Sequence, residues 1–440
     1  MNAKKHLSFT QLRSMLSDRL QEIPDWRQKS KTAISIHDAA MTGFACMYFQ
    51  DPSLLQFQKR MQEEQHRNNL ETLFGIKNIP KESQMREIND AIDSEFYRPV
   101  LKDLYSRLQR GKHLQEFQIF KNTYYFPIDG SQFFSSSDIH CDQCLVKEHR
   151  NGSKTYSHQV LQGGIMHPDC SEVIPFMPEQ IINTDGTDKQ DCEMNAAKRF
   201  LQKLRCDFPR LKLMIGGDAL FSRQPIIENI LSYNFHYLFT AKPTDHKYMT
   251  QWVDGCDSLK DIQFTDDKDR LHKYEWLNHV PLHGGKEAIG VNFLRCTVTG
   301  TNKKGQEEIL YRSSWVTDIL IDAENIKTLV RAGRCRWKNE NECFNVMKNQ
   351  GYCMEHNYGH GDKHLAYNFY LLTLLAFSFH QIFELVDSQY QRCRERFGSK
   401  KHFWEKLRSW IDLLIFKTWE HLLDFALASK KGLLHWAHAP

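Results

Sequence analysis

The sequence has no large excess of charge of either sign. Its 440 residues include 58 lysines and arginines against 54 aspartates and glutamates, which leaves a formal net charge of +4. A balance this close to neutral permits a nucleic-acid partner without requiring one. Charge alone therefore decides nothing about the partner. The 41% hydrophobic and 25% charged content is typical of a folded soluble protein.

The N-terminal segment lacks the continuous apolar core of a secretion signal. Its apolar residues follow helical spacing instead, at Phe9, Leu12, Met15, Leu16 and Leu20. Without an export signal, the 12 cysteines are interpreted as reduced thiols and not as a disulfide framework. We therefore expect a cytoplasmic protein.

The chain also lacks a long apolar run that is free of polar side chains. The most apolar stretch, residues 365–385, contains Asn368, His380, Gln381 and Glu384. Such side chains are costly inside a bilayer. The stretch is therefore predicted to be a buried helix, and no membrane is expected as a partner.

Two or three domains are expected at this length. Residues 1–120 are predicted to be helical, and the segment 83–110 carries basic residues along amphipathic helices. Such a segment is commonly a solvated helix face, and it becomes a candidate DNA-binding region only if a catalytic site lies elsewhere. Residues 365–440 are again predicted to be helical and include a basic, aromatic stretch at 391–410.

Strands and helices alternate in the central region, residues 121–364. The predicted elements are strands at 124–129, 156–166 and 171–177, a helix at 190–204, a strand at 211–215, a helix at 222–232 and a strand at 235–241. This is the element order of the ribonuclease H-like fold, so the predicted class is α/β. Residues from about 243 to 322 are predicted to form a β insertion, with strands at 290–299 and 309–317.

Two predicted strands end in an aspartate. Asp129 ends the apolar run of YYFPIDG, and Asp218 ends that of LKLMIGGD. A single aspartate after a strand is commonly a helix cap or a turn residue. In the predicted fold, however, these two strands are neighbours, and their carboxylates can hold two metal ions roughly 3.5–4 Å apart. A third candidate, Glu340, lies in a cationic helical segment at 334–351.

Three carboxylates suit the transfer of phosphoryl groups on DNA. Two hard divalent cations held by carboxylates stabilise both the attacking and the leaving oxygen of a phosphodiester. Arg336 lies four residues before Glu340, on nearly the same helix face. Arg336 and Lys348 are therefore candidates to hold the flanking phosphates. The alternative for Arg336 is an ordinary surface ion pair.

With these motifs, the chain resembles the DDE transposases of bacterial insertion sequences, in the insertion-sequence-four-like, cut-and-paste group with a β insertion before the catalytic Glu. The resemblance covers residues 124–364. It rests on IDGS around Asp129, on GGDALF around Asp218, and on RWKNEN followed by KNQGY and EHNYGHG. It implies that Asp129 bridges two Mg²⁺ or Mn²⁺ ions, and that Asp218 and Glu340 each complete one metal site.

The sequence departs from the signature of that group around the Glu. The signature is Tyr, two residues, Arg, three residues, Glu, six residues, Lys. Arg336 and Glu340 fit it, but Gly333 stands in the Tyr position and the Lys is displaced by one residue to Lys348. Glu342 is the rival carboxylate, and its spacing from Arg336 fits less well.

A second candidate metal site contains cysteine and histidine. Cys141 and Cys144 form a C-x2-C motif, and His149 and His158 follow it. Zinc takes four nitrogen or sulfur ligands in a tetrahedron, and the spacing is similar to that of a zinc knuckle. No second C-x2-C completes it, so a loop with reduced thiols is the alternative.

Trp315 is the candidate aromatic contact to DNA. It lies in a predicted strand of the β insertion, within SSWVT. An aromatic face there can stack on a base that is extruded from the transposon end. The alternative is a core tryptophan, which is more common in strands.

The residues and the resemblance together predict a transposase that cleaves insertion-sequence ends and joins the exposed 3′-hydroxyls to target DNA. The resemblance implies a homodimer on paired terminal inverted repeats of double-stranded DNA, bound to the bacterial nucleoid. Two alternatives stay open. One is a ribonuclease H-like nuclease without strand transfer, and the other is a DNA-binding protein without catalysis.

Overall fold

A computed structural model of the protein describes residues 5–28, 32–62, 68–183, 192–302, 305–356 and 358–428. Strands and helices alternate in the middle of the chain, and helices flank them on both sides. The protein is therefore mixed α/β, as predicted.

The described residues form twelve strands of one continuous sheet. In chain order they are β1 (Gln118–Phe120), β2 (Thr123–Ser136), β3 (Leu145–Glu148), β4 (Lys154–Ile165), β5 (Ile174–Pro175), β6 (Glu179–Ile181), β7 (Lys212–Gly217), β8 (His236–Thr240), β9 (Lys260–Thr265), β10 (Leu271–Pro281), β11 (Gly290–Thr301) and β12 (Glu307–Thr317). The main strand order is β3-β4-β2-β7-β8-β12-β11-β10-β9. β1 pairs with β2, and β5 and β6 pair with β4.

The centre of the sheet contains both predicted aspartate strands. β2 pairs in parallel with β7, from Thr123 opposite Lys212 to Pro127 opposite Gly216. β4 pairs antiparallel with the second half of β2, and β8 pairs in parallel with β7. β2 is longer than predicted because its alternating pattern continues beyond residue 129 along β4. Of the strand predicted at 171–177, only residues 174–175 form a strand, β5, and β6 follows outside the predicted range at residues 179–181.

The β insertion extends the sheet. β12 pairs antiparallel with β8, with Trp315 opposite Thr240, and β11, β10 and β9 follow outward. The strands predicted at 290–299 and 309–317 are confirmed as β11 and β12. Strand residues that alternate between apolar and polar explain why this part was predictable.

The helices of the described residues are α1 (Phe9–Gln21), α2 (Ile36–Tyr48), α3 (Leu54–Gln62), α4 (Glu82–Asp90), α5 (Arg98–Arg110), α6 (Glu193–Asp207), α7 (Gln224–Ser232), α8 (Lys247–Asp254), α9 (Ile326–Cys335), α10 (Asn345–Asn349), α11 (Leu365–Val386), α12 (Ser388–Phe397), α13 (Lys400–Ile411) and α14 (Trp419–Leu427). The helix predicted at 190–204 is confirmed as α6, and its predicted residues 190 and 191 lie outside the described part. The helix predicted at 222–232 is confirmed as α7.

The N-terminal and C-terminal helices pack against each other. α2 contacts α11, and the rings of Phe9 and Trp419 stack with centroids 5.1 Å apart. The side-chain amide of Asn368 donates to the carbonyl oxygens of Asn89 and Ile92. The two flanking regions, predicted as separate segments, therefore form one packed helical unit.

α11 is the most buried helix of this unit. By length and composition it could cross a membrane, yet 89% of its most apolar window is buried inside the protein. Its buried polar side chains have partners: Gln381 accepts from the backbone N–H of Val173, and a ring nitrogen of His380 lies 2.7 Å from the Tyr352 hydroxyl. The prediction of a buried helix is confirmed.

Candidate active site

Asp129 and Asp218 lie where β2 and β7 part. Asp129 is two residues beyond the last pair of these strands, Pro127 opposite Gly216, and Asp218 directly follows β7. Oδ1 of Asp218 accepts the backbone N–H of Leu220 at 2.8 Å, which fixes the turn after the strand. The parallel register therefore brings both carboxylates to the same edge of the sheet.

Glu340 comes to Asp129 from a distant part of the chain. It lies on a π-helical turn, Asn339–Phe344, which packs against β2. A cleft of about 520 Å³ separates them, and Asp129, Glu340 and Lys348 are among its lining residues. The predicted helix at 334–351 is thus divided into the end of α9, the π-helical turn and α10. π-Helical turns are rare and occur frequently at functional sites.

The charges of these residues act on one another. Burial raises the pKa of Asp129 above its ordinary value, and the negative charges of Asp218 and Glu340 raise it further. The guanidinium of Arg336 opposes this, because its Nη1 lies 3.2 Å from Oδ2 of Asp129. Asp218 and Glu340 therefore both act on the charge of Asp129, although these three carboxylates are not among the groups of described residues whose ligand atoms all lie within 4.8 Å of one another.

The two predicted DNA contacts have protein partners in this structure. Arg336 pairs with Asp129 on the sheet, and not with Glu340 along its own helix. Nζ of Lys348 lies 2.9 Å from Oε1 of Glu355, at the edge of the cleft. Both cations border the candidate site.

Glu193 is a fourth carboxylate that the sequence reasoning missed. It is the first residue of α6, and its pKa is raised by burial and then by the charges of Asp129 and Asp218. A Cβ on Gly130 would lie 2.2 Å from Oε1 of Glu193, so only glycine leaves room for this carboxylate beside β2. Acidic residues are common in the first turn of a helix. The sequence therefore did not distinguish Glu193 as a site residue. We call Asp129, Asp218, Glu340 and Glu193 the carboxylate cluster.

The base-stacking role predicted for Trp315 is corrected. Its side chain is 2% exposed, and a Cβ on Gly333 would lie 2.6 Å from its ring. Trp315 therefore fills the space between β12 and α9 and has no face open to a base. The same contact leaves no room for a side chain at position 333.

The predicted zinc ligands are corrected at one position. His149 is exposed, and its Nε2 lies 2.7 Å from the Thr155 hydroxyl. His360, from the segment before α11, takes the fourth position instead. The ligand atoms that lie within 4.8 Å of one another, and could hold a metal ion, belong to Cys141, Cys144, His158 and His360. We call these four residues the thiol–imidazole cluster.

Comparisons with protein-family models and with curated proteins found no match for this chain. Its function is therefore inferred from the chemistry of these sites.

Proposed function

We propose that this protein is a metal-dependent DNA transposase, which cleaves insertion-sequence ends and joins their 3′-hydroxyls to target DNA. The observation that carries the proposal is that Asp218 and Glu340, which lie far apart in the sequence, both act electrostatically on the partly buried Asp129. Such a convergence of carboxylates at a cleft is characteristic of sites for divalent cations.

The arrangement of the sheet supports this proposal. β4 pairs antiparallel with both β2 and β6. On the other side of β2, β7 pairs in parallel with β2 and with β8. α6 precedes β7 and α7 connects it to β8. These relations agree with a ribonuclease H-like core, in which the carboxylates of the first and fourth strands face each other.

The donor set fits hard divalent cations. Burial raises the pKa values of Asp129 and Glu193, neighbouring carboxylates raise them further, and Arg336 opposes the shift at Asp129. Asp129, Asp218 and Glu340 would hold two Mg²⁺ or Mn²⁺ ions, which would stabilise the attacking and leaving oxygens of the phosphodiester.

The cations at the edge of the cleft would bind the DNA backbone. Arg336, which pairs with Asp129 in this structure, would bind a phosphate when DNA is in the site. Lys348 would exchange Glu355 for a phosphate in the same way. These contacts position double-stranded DNA without reading its sequence. As in the transposases that the sequence resembles, the active form would be a homodimer on paired ends.

The proposal is tested with the full-length chain, Mg²⁺ and DNA that carries the inverted repeats flanking its reading frame. Asp129→Asn, Asp218→Asn and Glu340→Gln should each lower cleavage more than about 100-fold, because loss of a residue that only supports a metal ligand already costs about 10–100-fold. Binding of the ends should be nearly unchanged, because the phosphate-binding cations remain. Cleavage and strand transfer are measured on gels, and binding by mobility shift.

Glu342→Gln is the matched control, because it removes a carboxylate from the same π-helical turn and should keep wild-type cleavage. An inactive Glu342→Gln beside an active Glu340→Gln would reverse the assignment within the turn. Cleaved ends that are never joined to target DNA would favour the nuclease alternative. End binding by the wild type without metal-dependent cleavage would favour the non-catalytic alternative.

A further inference from the structure

The thiol–imidazole cluster has the dimensions of a tetrahedral zinc site. Zn–S bonds of about 2.3 Å and Zn–N bonds of about 2.0–2.1 Å place two sulfurs about 3.8 Å apart, sulfur and nitrogen about 3.6 Å apart, and two nitrogens about 3.4 Å apart. The two sulfurs are 3.9 Å apart, and Nε2 of His158 lies 3.6 Å from Sγ of Cys141 and 3.4 Å from Sγ of Cys144. Nε2 of His360 lies 3.5 Å from Sγ of Cys144 and 3.0 Å from Nε2 of His158.

The register of the sheet explains how three of the ligands meet. Leu145 on β3 pairs with Ser157 on β4, so Cys144, the residue before Leu145, lies beside His158. Cys141 turns back over this position, and its backbone N–H approaches Sγ of Cys144 at 3.5 Å. Such an N–H contact is favourable for a negatively charged sulfur.

His360 is oriented for metal binding by its own backbone. Its Nδ1 lies 2.7 Å from the carbonyl oxygen of Gly361. Because a carbonyl can only accept, Nδ1 carries the proton and Nε2 presents its lone pair to the cluster. Gly359 and Gly361 have φ values of 141° and 68°, and this backbone conformation places His360 between them.

Three of the four ligands are withdrawn from solvent. Cys144, His158 and His360 are buried, with 1%, 6% and 8% exposure, and Cys141 is partly exposed. Four protein ligands fill all positions of a tetrahedron, which is the arrangement of structural zinc and not of catalytic zinc. A redox role of the C-x2-C pair would not require two imidazoles to converge on it.

The site would connect two distant parts of the molecule. His360 belongs to the segment between α10 and α11, and the other three ligands belong to the β2–β3–β4 region. Directly after His360, the carboxylate of Asp90 accepts the backbone N–H groups of residues 362–365 at the start of α11. The segment that follows the π-helical turn of Glu340 would thus be held by the thiol–imidazole cluster at His360 and by Asp90 at the start of α11.

We propose that Cys141, Cys144, His158 and His360 bind one structural zinc ion, which fixes the segment after the Glu340 turn to the β2–β4 pair. This site is separate from the carboxylate cluster. The proposal therefore holds whether or not the protein is a transposase.

Zinc content and cobalt spectra test this proposal directly. The full-length chain, purified without a metal-affinity tag and dialysed against a weak chelator, should contain about one zinc per chain by mass spectrometry of metals. Replacement of zinc by Co²⁺ should give the intense visible bands of a tetrahedral site and thiolate charge-transfer absorption. A protein that retains no zinc and gives no such spectrum, or one that carries a Cys141–Cys144 disulfide, would overturn the proposal.

Variants test the ligand set. Cys144→Ser and His360→Ala should lose zinc, whereas the matched control His149→Ala should retain it. His360→Cys should restore binding with a third sulfur and strengthen the charge-transfer bands of the cobalt form, which shows that loss in His360→Ala is not merely misfolding. Zinc loss in His149→Ala with retention in His360→Ala would overturn the assignment, as would a His360→Cys protein without zinc.

Discussion

At the scale of single residues, Asp129 and Glu193 oppose folding of the metal-free protein at neutral pH. Burial and neighbouring carboxylates raise the pKa values of Asp129 and Glu193 in the folded state. The folded protein therefore binds more protons than the unfolded chain, and these groups cost stability as pH rises from their unfolded pKa values, about 4, through the raised folded values. Divalent cations that bind the cluster would remove this cost.

We predict that Glu193→Gln separates stability from activity. A neutral amide avoids the repulsion by Asp129 and Asp218, so the metal-free variant should have a higher melting temperature than the wild type at pH 7. The difference should shrink below about pH 4, where the unfolded carboxyl is also protonated. Cleavage of DNA should fall at least about tenfold, equal to 1.4 kcal/mol of the barrier, if Glu193 supports the metal ions.

Melting curves at several pH values and single-turnover cleavage measure both effects for Glu193→Gln. Lys198→Gln, on the exposed side of the same helix, is the control and should change neither quantity. A variant that is less stable at pH 7 than the wild type would show that Glu193 has a structural role instead.

At the scale of elements, the position of the π-helical turn that carries Glu340 depends on how the preceding helix, α9, packs on the sheet. Gly333 lets the helix approach the ring of the buried Trp315, and α9 contacts β8, β10 and β11 of the sheet. Lys338, at the end of this course, donates to the carbonyl oxygens of His167, Pro168 and Cys170. The position of Glu340 therefore depends on the packing of α9 and on the hydrogen bonds of Lys338.

We predict that Gly333→Ala destabilises the protein by about 1 kcal/mol. Alanine favours a helix over glycine by up to about 1 kcal/mol, but a methyl group 2.6 Å from the Trp315 ring causes overpacking that costs about 1–3 kcal/mol. The clash should win, because the ring is buried and cannot move aside. Chemical denaturation of the full-length chain measures the change.

Gly290→Ala is the control for that change, since a Cβ at Gly290 meets nothing within 4 Å, and it should stay within about 0.5 kcal/mol of the wild type. Trp315→Phe should recover part of the loss in the Gly333→Ala background, which a double-mutant cycle detects. If Gly333→Ala lowered the stability of the wild type and of the Trp315→Phe variant equally, the proposed clash between position 333 and the Trp315 ring would be contradicted.

At the scale of the whole molecule, the flanking helices share one hydrophobic core with the sheet. α2 is buried along almost its entire length and contacts α1, α4 and α11. Its side chains Ile36, Met41, Phe44 and Met47 alone contribute about 6–12 kcal/mol, at about 1.5–3 kcal/mol each. This is comparable to the total stability of a typical domain, about 5–15 kcal/mol.

We therefore predict that a chain without residues 1–120 does not fold alone. Removal of these residues would expose the apolar surface of α11. The truncated protein should be insoluble or should unfold without a cooperative transition in calorimetry. Addition of the 1–120 fragment during refolding should restore a soluble complex. A truncated protein that is soluble and unfolds cooperatively by itself would show that the helical flank is an independent domain.

The sequence by itself determined the local pattern of this protein. The strands β2, β4, β7, β8, β11 and β12 and the helices α6, α7 and α11 follow from hydrophobic periodicity, which neighbouring residues encode. The short strands β3 and β6 were not predicted. The same pattern identified Asp218 as a residue that follows a strand, and C-x2-C as a candidate zinc motif. Asp129 was predicted at the end of a strand but lies within the longer β2. The metal-binding and catalytic roles of Asp129, Asp218 and Glu340 remain predictions.

Only the tertiary structure decided which distant residues meet. It brought Glu193 to the aspartates, paired Arg336 with Asp129, and buried Trp315 against Gly333. It also placed His360 at the cysteines, 202 residues along the chain from His158, while the nearer His149 stays exposed. Such contacts depend on sheet register and on the packing of α9 and α11, because spacing along a sequence measures distance in space only within one helix or strand.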